Sequence, residues 1–339
     1  MIKIALDAMG GDHAPEVVVQ AACQFVKDHE NIIIQLFGDQ TQIHPLLEKY
    51  GQSERLQVMH TTEEISMDDE PVKAIRRKKD ASMVVAARAV KEGQADAIIS
   101  CGNTGALLAA GLLMIGRIKG VDRPGLMPII PTVNPDHPQV LLMDSGANAD
   151  CKPENLLQFA VLANAYAKHI LQIDTPRIGL INNGTEASKG NTLSKAAYSL
   201  LTEAKDLNFI GNIEAKTLLT GQVDIAITDG FTGNAILKSI EGTASSLLSH
   251  LKNIMTNSGF LPKMGAGLLK NALKEGMAQM DPSHTGGAVL LGTKAPVIKA
   301  HGSSDQLAVY NAIKQAVTIV ESDTIPTLAS LFEKTLDEN

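Results

Sequence analysis

The sequence predicts an α/β protein of three layers, in which a doubly wound, mostly parallel sheet lies between two layers of helices. Short β-branched segments alternate with helical segments along the whole chain of 339 residues. Several strand candidates are apolar throughout, which is typical of strands covered on both faces. The content of 44% hydrophobic and 20% charged residues is that of an ordinary globular protein. These observations together favour the three-layer arrangement.

Eight segments of the chain have the length and composition of strands. They are Ile2–Leu6, Ile32–Phe37, Leu56–Met59, Ala97–Ser100, Met127–Thr132, Val140–Met143, Ile178–Ile181 and Ile225–Thr228. Helices are predicted between them from apolar periodicity, and the first follows Pro15 at a position that proline favours. These helices are Glu16–Lys27, Ser82–Glu92, Thr104–Ile115, Glu154–Ile170 and Thr192–Ala204. No linker or internal repeat divides the chain, so we expect a single unit over residues 1–339.

Composition excludes several classes of protein. The formal charge of −7 argues against a surface that binds nucleic acid. Aromatic residues make up 3% and tryptophan is absent, which leaves few platforms for stacking bases. The composition also differs from that of a disordered chain, a collagen or a disulfide scaffold.

The cysteines and the first residues bear on the compartment. Cys23, Cys101 and Cys151 lie far apart, without CxxC or HExxH spacing, so a zinc site is not expected and a reducing cytoplasm is favoured. Asp7 interrupts the apolar start, which argues against a signal peptide. The longest Ala/Leu-rich run, residues 106–116, is shorter than the ~20 residues of a membrane span.

Five strands are followed by loops rich in Gly, Asn, Asp and Ser. These loops cover residues 7–13, 100–105, 144–148, 182–191 and 229–234. In a doubly wound fold ligands bind beyond the carboxyl ends of the strands, so we expect the loops to form one pocket. Glycines let the backbone approach a ligand, and helix starts favour anions, which suits phosphate or a developing oxyanion. The GxGxxG and GxxxxGK[ST] motifs are absent, and no cofactor is expected.

Individual polar residues of these loops allow two interpretations each. Lys189 is either a solvated surface lysine or a cation that binds phosphate and transition-state charge. Asn234 is either the N-cap of a helix or a donor to an oxyanion. Asp7, Asp12 and His13 could form a base or metal site, although capping and loop hydrogen bonds explain them equally well.

The motifs together resemble the PlsX-type phosphate acyltransferases of bacterial phospholipid synthesis. The resemblance runs through the whole chain in order. It is carried by IALDAMGGDHAP at 4–15, PVKAIRRKKDASM at 71–83, ADAIISCGNTGA at 95–106, KGN at 189–191, DGFTGNAILK at 229–238 and IKAHGSS at 298–304. It implies a fold like that of isocitrate/isopropylmalate dehydrogenases and phosphotransacetylases, and a homodimer. The implied reaction transfers an acyl group from acyl-(acyl carrier protein) to inorganic phosphate.

The resemblance also implies roles for residues. Lys189 and Asn234 match the family's catalytic motifs. Candidates for binding phosphate or substrate are Asp7, Gly10, Gly11, Asp12, His13, Ser100, Gly102, Asn103, Thr104, Asp144, Asn148, Asn191, Asp229 and His301. Family members usually have Ala where this chain has Cys101, so Cys101 is not expected to be a nucleophile.

Two basic segments stand out from the acidic background. Five cations lie within seven residues, at Lys73, Arg76, Arg77, Lys78 and Lys79. They form either a solvated helix face or a docking site for the acidic carrier protein.

An amphipathic helical arm is expected at about residues 245–285. Its apolar and basic positions are Leu261, Met264, Leu268, Leu269, Lys270, Leu273 and Lys274. The arm either packs in a dimer or in the core, or lies on an anionic membrane. The resemblance favours peripheral attachment to the inner face of the cell membrane, because acyl phosphate is passed to a membrane acyltransferase.

Three other functions stay open from the sequence. One is a phosphotransacetylase-like enzyme that uses acyl-coenzyme A, and another is a decarboxylating dehydrogenase of the same fold group. The third is a membrane scaffold without enzymatic activity.

Overall fold

The computed structural model describes residues 1–257 and 282–337. The strands are β1 Ile2–Asp7, β2 Ile32–Gly38, β3 Leu56–His60, β4 Ala97–Ser100, β5 Gly125–Met127, β6 Ile129–Pro131, β7 Gln139–Met143, β8 Ile178–Asn182, β9 Phe209–Glu214, β10 Ile225–Ile227, β11 Ala288–Leu291 and β12 Val297–Lys299. The helices are α1 Glu16–Asp28, α2 Gln40–Tyr50, α3 Pro71–Arg77, α4 Ser82–Lys91, α5 Thr104–Ala110, α6 Pro153–His169, α7 Thr192–Glu203, α8 Gly230–Asn257, α9 Gln306–Glu321 and α10 Thr324–Asp337.

The described strands form two sheets. The first has seven strands in the order β3-β2-β1-β4-β12-β11-β5, and the second has five in the order β6-β7-β10-β8-β9. Pairing is parallel except where β11 meets β12 and β5, and where β6 meets β7. The predicted α/β class is confirmed, whereas the expectation of one sheet is wrong.

The division between the sheets falls at Pro128. The segment Met127–Thr132 was expected to be one strand, but β5 pairs with β11 and β6 pairs with β7. Proline has no N–H to donate to a neighbouring strand, so a break is natural at this position. Chain continuity through Pro128 then joins the two sheets edge to edge.

Helices cover the sheets on both sides. One large apolar cluster contains residues of α1, α6, α9 and both sheets, including Phe25, Phe159 and Ile313. A second cluster covers the other face of the first sheet with α4 and α5, and a third lies on the second sheet beside Ile236 and Leu237 of α8. These clusters are the physical basis of the predicted layers.

The parallel strands place the glycine-rich loops at two neighbouring edges. Strands β1, β4 and β12 are adjacent, so the loops 7–13, 100–105 and 299–304 leave the first sheet together. We call these loops the first loop cluster. Strands β7, β10 and β8 are adjacent, so the loops 144–148, 182–191 and 228–234 leave the second sheet together. We call them the second loop cluster.

An ion pair at the opposite ends of β8 and β10 holds the second sheet together. Asp224 is 6% exposed and accepts from the Arg177 backbone N at 2.8 Å, Nε at 3.0 Å and Nη2 at 2.9 Å. Burial raises the pKa of Asp224, but the hydrogen bonds and charge of Arg177 outweigh it and leave the pKa below its usual value. The carboxylate is therefore more stable in the folded chain than in the unfolded chain.

We expect Asp224→Ala to lower the free energy of unfolding by about 3 kcal/mol, because it leaves Arg177 without its partner. The contribution of the wild-type pair should be complete above the unfolded carboxyl pKa of about 4 and decline as pH falls through the lower folded value. Urea unfolding at pH 7 measures the loss, with the exposed Asp206→Ala as control. Equal loss in both variants would contradict the prediction.

Candidate functional site

Asp7 organises the first loop cluster from below. Its carboxylate is 2% exposed and accepts hydrogen bonds from the hydroxyls of Ser82 and Ser100, each at 2.6 Å, and from Met9 N at 3.2 Å. Burial raises the pKa of Asp7, and the bonds from Ser100 and Ser82 act in the opposite direction. The side chain therefore joins β1, α4 and β4 beneath the loops.

Glycines allow two loops of this cluster to touch through their backbones. A Cβ atom on Gly10 would lie 2.6 Å from Asp7 Oδ2 and 2.7 Å from Gly102 N. Gly11 has φ of +106°, and Asp12 N donates to Gly302 O at 2.8 Å. The structure thus brings together the segments that were predicted to bind phosphate.

Several amides expected to bind phosphate have partners within the protein. Gly102 N donates to Ser100 Oγ at 2.9 Å, and Asp12 N donates to Gly302 O at 2.8 Å. Asn103 Oδ1 accepts from Ala106 N at 3.0 Å, which caps α5, and its Nδ2 donates to the carbonyls of residues 66, 67 and 69. These amides therefore stabilise the shape of the loops. Thr104, another predicted binding residue, is half-buried and is the first residue of α5.

A groove of about 340 Å³ lies above these contacts. Its lining includes Gly11, Asp12, Gly102 and Met67. His13 is exposed and lines an adjoining groove with Glu16 and Tyr50 instead. His301 is also exposed, and its Nδ1 lies 2.9 Å from Ser303 Oγ.

Asp144 organises the second loop cluster as Asp7 does the first. The fully buried carboxylate accepts from the amides of Leu126, Gly146, Ala147 and Asn148 at 2.7 to 3.2 Å, and from Asn148 Nδ2 at 2.9 Å. Burial raises the pKa of Asp144, and these donors oppose the shift. Since Leu126 belongs to β5, Asp144 also ties the second loop cluster to the first sheet.

Asp229 provides the cap of α8. Its Oδ1 accepts from Thr232 N and its Oδ2 from Thr232 Oγ1, both at 2.8 Å. The helix begins at Gly230, where a Cβ atom would lie 2.6 Å from Asn148 O. Because α8 starts four residues before Asn234, the interpretation of Asn234 as an N-cap is wrong.

Asn234 is left available for another role. Its side chain is exposed and makes no hydrogen bond within the described part of the chain. It lies beside Gly146, whose added Cβ would come 3.6 Å from Asn234 Cγ. The amide therefore projects where the loops after β7 and β10 meet.

Lys189 lies on the loop after β8, next to β10 in the sheet. Its N donates to Glu186 O at 3.0 Å, and its carbonyl accepts from Asn182 Nδ2 at 3.2 Å. The side chain is exposed, and its stem covers Gly184, where a Cβ atom would meet Lys189 Cγ at 2.9 Å. Asn191 caps α7 through Ser194 N at 2.8 Å, so its side chain has a structural role.

The structure adds a residue that sequence reasoning missed. Lys299 ends β12, and its ammonium donates to Cys101 O at 3.3 Å and to Ala300 O. The only signal in the sequence was a lysine at the end of a short apolar segment, within a motif quoted for resemblance. No strand was predicted there, so nothing placed this lysine in the first loop cluster.

Cys101 is 3% exposed, and burial raises the pKa of its thiol to about 11. A thiol with this pKa is almost wholly protonated at neutral pH, which makes it a poor nucleophile. Among the described residues, no group of three or more His, Cys, Asp and Glu side chains could hold a metal ion.

The basic cluster divides into paired and unpaired cations. Lys78 binds Asp69 at 2.6 Å and is only 33% exposed, while Lys73 lies 3.5 Å from Glu70. Arg76, Arg77 and Lys79 are exposed without an ion pair in the described residues. Five acidic residues precede the cluster, at Glu63, Glu64, Asp68, Asp69 and Glu70. Fewer than five cations are therefore free to contact a partner protein at this surface.

The expected arm falls mainly on residues that the structure does not describe. Leu261, Met264, Leu268, Leu269, Lys270, Leu273 and Lys274 lie outside the described residues. Just before them, α8 exposes Leu247, Leu248 and Leu251 by 55%, 39% and 45%. None of the described helices is both long enough and apolar enough to cross a bilayer.

Residues 2–326 match the family model described as "Fatty acid synthesis protein". The chain belongs to this family. Its curated relatives include the phosphate acyltransferase of Streptococcus equi subsp. zooepidemicus (strain H70), which is 54% identical over 339 residues and 100% of both chains. The phosphate acyltransferase of Streptococcus pyogenes serotype M1 is 52% identical with the same full coverage. The resemblance drawn from the motifs is thereby confirmed.

Solved structures similar to this family member show the same fold. A phosphotransacetylase from Streptococcus pyogenes superposes with a TM-score of 0.60 at 18% identity, covering 96% of this chain and 94% of that one. The EutD phosphotransacetylase from Staphylococcus aureus gives 0.58 at 17% identity, covering 95% and 94%. A putative 4-hydroxythreonine-4-phosphate dehydrogenase from Salmonella typhimurium gives 0.50 at 14% identity, covering 94% and 99%. The fold group expected from the sequence is confirmed.

Proposed function

We propose that this protein transfers a fatty acyl group from an acyl carrier protein thioester to inorganic phosphate, giving acyl phosphate and free carrier protein. The main support is the full-length match to curated phosphate acyltransferases at 52–54% identity. The convergence of the loops 7–13 and 100–105, and of the loops after β7, β8 and β10, supplies a suitable place. The acyl phosphate then serves a membrane acyltransferase.

The reaction needs no covalent bond to the protein. A phosphate oxygen attacks the thioester carbonyl and forms a tetrahedral oxyanion. The carbon–sulfur bond then breaks, and the thiolate leaves and takes up a proton. We assign Lys189 to the charge of phosphate and of the transition state, and Asn234 to donation toward the oxyanion. Their exposure, and the absence of a hydrogen bond to Asn234 in the described chain, support these roles.

Burial of Cys101 supports direct attack by phosphate. Its raised pKa of about 11 argues against a thiolate that would form an acyl-enzyme. Asp7 and Asp144 act instead through the loops, because their carboxylates are occupied by internal donors.

Comparison of substrates tests this proposal. Purified protein is given labelled inorganic phosphate with either acyl-(acyl carrier protein) or acyl-coenzyme A, and the products are separated by chromatography. We expect labelled acyl phosphate from the carrier substrate with the higher kcat/KM. A preference for acyl-coenzyme A would indicate a phosphotransacetylase-like enzyme, and an absorbance change dependent on nicotinamide nucleotide would indicate a dehydrogenase. Absence of turnover with every substrate would favour a membrane scaffold without enzymatic activity.

We also propose that the exposed cations of α3 dock the acidic carrier protein. Arg76 and Arg77 lie at the end of α3, which packs against α5 beside the first loop cluster. A carrier bound there would reach the groove lined by Met67 and Gly102. Opposite charges favour such encounters.

We expect Arg76→Glu combined with Arg77→Glu to raise KM for the carrier substrate by about 10-fold and to leave kcat within about 2-fold. The salt dependence of kcat/KM should weaken in the same variant. The control changes two exposed lysines elsewhere, Lys119→Glu and Lys205→Glu, so that the net charge shifts equally. An unchanged KM with unchanged salt dependence would refute docking at α3.

Peripheral membrane attachment and a homodimer are further proposals. The apolar positions of the arm and the exposed stripe of Leu247, Leu248 and Leu251 on α8 support them. We propose that the arm lies on anionic lipid at the inner face of the cell membrane, and that the α8 stripe faces a second copy. The site of action would then be cytoplasmic.

Flotation with vesicles of anionic lipid measures the attachment. We expect Leu268→Glu combined with Leu273→Glu to reduce the floated fraction several-fold, since two charges replace apolar contacts with lipid. Val133→Glu combined with Ile210→Glu, at exposed positions on the body, is the control. Equal flotation of both variants and wild type would reject attachment by the arm.

Light scattering of Leu247→Glu combined with Leu251→Glu should give the monomer mass, and an unchanged dimer mass would reject pairing by the stripe.

A further inference from the structure

Lys299 carries a half-buried ammonium group that has no role in the mechanism proposed for Lys189 and Asn234. It lies opposite Ser100 in the pairing of β12 with β4, at the carboxyl end of both strands. Its Nζ donates to Cys101 O at 3.3 Å and to Ala300 O. An ammonium has three donors, so these carbonyls hold it in place and leave one N–H.

None of the described carboxylates forms an ion pair with Lys299. In the described part of the chain Lys299 forms no ion pair, although Asp7 and Asp12 are close enough to influence its pKa. The Asp7 carboxylate is occupied by Ser82, Ser100 and Met9. A half-buried ammonium held by carbonyl oxygens alone keeps a net positive charge, so a site of this kind favours an external anion.

Lys238 on α8 already has an anionic partner. Its ammonium forms an ion pair with Glu241 at 2.6 Å. Lys299 differs, because its ammonium is held by carbonyl oxygens and burial lowers its pKa. An incoming anion would therefore stabilise the charge of Lys299 more than that of Lys238.

Two amides of the first loop cluster are already occupied. Asp12 N donates to Gly302 O, and Gly102 N donates to Ser100 Oγ. An ammonium group carries a full positive charge that backbone amides lack, and Lys299 places one beside Cys101 at the foot of the loops.

We propose that Lys299 binds the inorganic phosphate substrate through its ammonium group, from the first loop cluster, while Lys189 and Asn234 act from the second. The inference rests on the proposed acyl transfer to phosphate. The ammonium donates to a phosphate oxygen other than the attacking one, which orients the nucleophile without taking its proton. Lys299 would thus set the affinity for phosphate more than the rate of the chemical step.

The test compares Lys299→Gln with wild type in binding and turnover. Glutamine keeps an N–H donor for Cys101 O but removes the charge. We expect Kd for inorganic phosphate by calorimetry, and KM for phosphate, to rise about 10- to 100-fold, with KM for the carrier substrate unchanged. Lys299→Arg should restore much of the affinity. Lys294→Gln, an exposed lysine before the amino end of β12, should behave as wild type.

Each outcome decides the proposal. A folded Lys299→Gln protein with wild-type Kd and KM for phosphate would overturn it, and would leave Lys299 as a structural link between β12 and the Cys101 loop. If that variant does not fold, chemical acetylation of the wild-type protein, followed by mass spectrometry of its peptides, decides. Inorganic phosphate should slow acetylation of Lys299 and leave that of the exposed Lys294 unchanged, and equal rates at Lys299 with and without phosphate would overturn the proposal. Phosphate binding without any acyl phosphate would contradict the proposed reaction instead.

Discussion

Replacement of Asn234 by alanine is expected to lower kcat for acyl phosphate formation by about 10²- to 10³-fold, the usual effect of removing one oxyanion donor. KM for either substrate should change little, because the interaction forms mainly in the transition state. The side chain is exposed and lies beside Gly146, where α8 meets the loop after β7. Steady-state kinetics with the carrier substrate and phosphate measure the effect.

Stability separates a catalytic role of Asn234 from a structural one. Since its amide has no hydrogen bond in the described chain and Asp229 caps the helix, truncation should leave the free energy of unfolding within about 0.5 kcal/mol. Asn234→Asp, which keeps the shape but removes the donor, should be as slow as Asn234→Ala. Ser239→Ala, at an exposed position on the same helix, is the control. Activity near wild type in Asn234→Ala would refute the assignment.

Lys189→Ala should reduce kcat/KM for phosphate by at least about 10²-fold, because it removes a cation from the reacting phosphate. The effect should appear in both kcat and KM, since phosphate is charged in the ground state and in the transition state. Lys189→Arg keeps the positive charge but replaces the compact ammonium with a planar guanidinium group. We therefore expect kcat/KM for phosphate to lie between those of Lys189→Ala and wild type. Lys195→Ala, an exposed lysine on α7, is the matched control.

The two residues should not act independently. If Lys189 and Asn234 stabilise the same transition state, the double alanine variant should lose less than the product of the two single effects. Strict multiplication of the single effects would indicate separate roles. Wild-type turnover in Lys189→Ala would contradict the proposed mechanism directly.

The sequence predicted the part of the fold that depends on local pattern. Strand Ala97–Ser100 has the predicted bounds. The loops after β1 and β4 leave the first sheet together and those after β7, β8 and β10 leave the second, while the single pocket expected for all five stays a prediction. Periodicity specifies strands and helices, and parallel strands bring their carboxyl ends together. Both inferences use only neighbouring residues and a general rule of topology.

Features that depend on distant contacts were missed. The separation of β5 from β6 depends on which partner each short strand finds, and the sequence near Pro128 does not reveal it. Strands β11 and β12 have four and three residues, too few for a periodic signal. Lys299 was overlooked for this reason. The internal hydrogen bonds of Asp7 and Asp144 likewise join segments far apart in the chain.

Charge patterning in the sequence overstated the basic cluster. Counting cations from Lys73 to Lys79 ignored the acidic residues that precede them. In the structure Asp69 pairs with Lys78 and Glu70 lies near Lys73, which leaves Arg76, Arg77 and Lys79. A run of like charges therefore predicts a docking surface only after local ion pairs are subtracted.

Oxygen labelling tests the central claim most directly. Inorganic phosphate carrying ¹⁸O at all its oxygens is incubated with protein and acyl-(acyl carrier protein), and the masses of the products are measured by mass spectrometry. Attack of a phosphate oxygen on the acyl carbon predicts acyl phosphate that retains every labelled oxygen, together with one free carrier thiol for each acyl phosphate formed. Release of carrier thiol with free fatty acid and no labelled acyl phosphate would contradict the account.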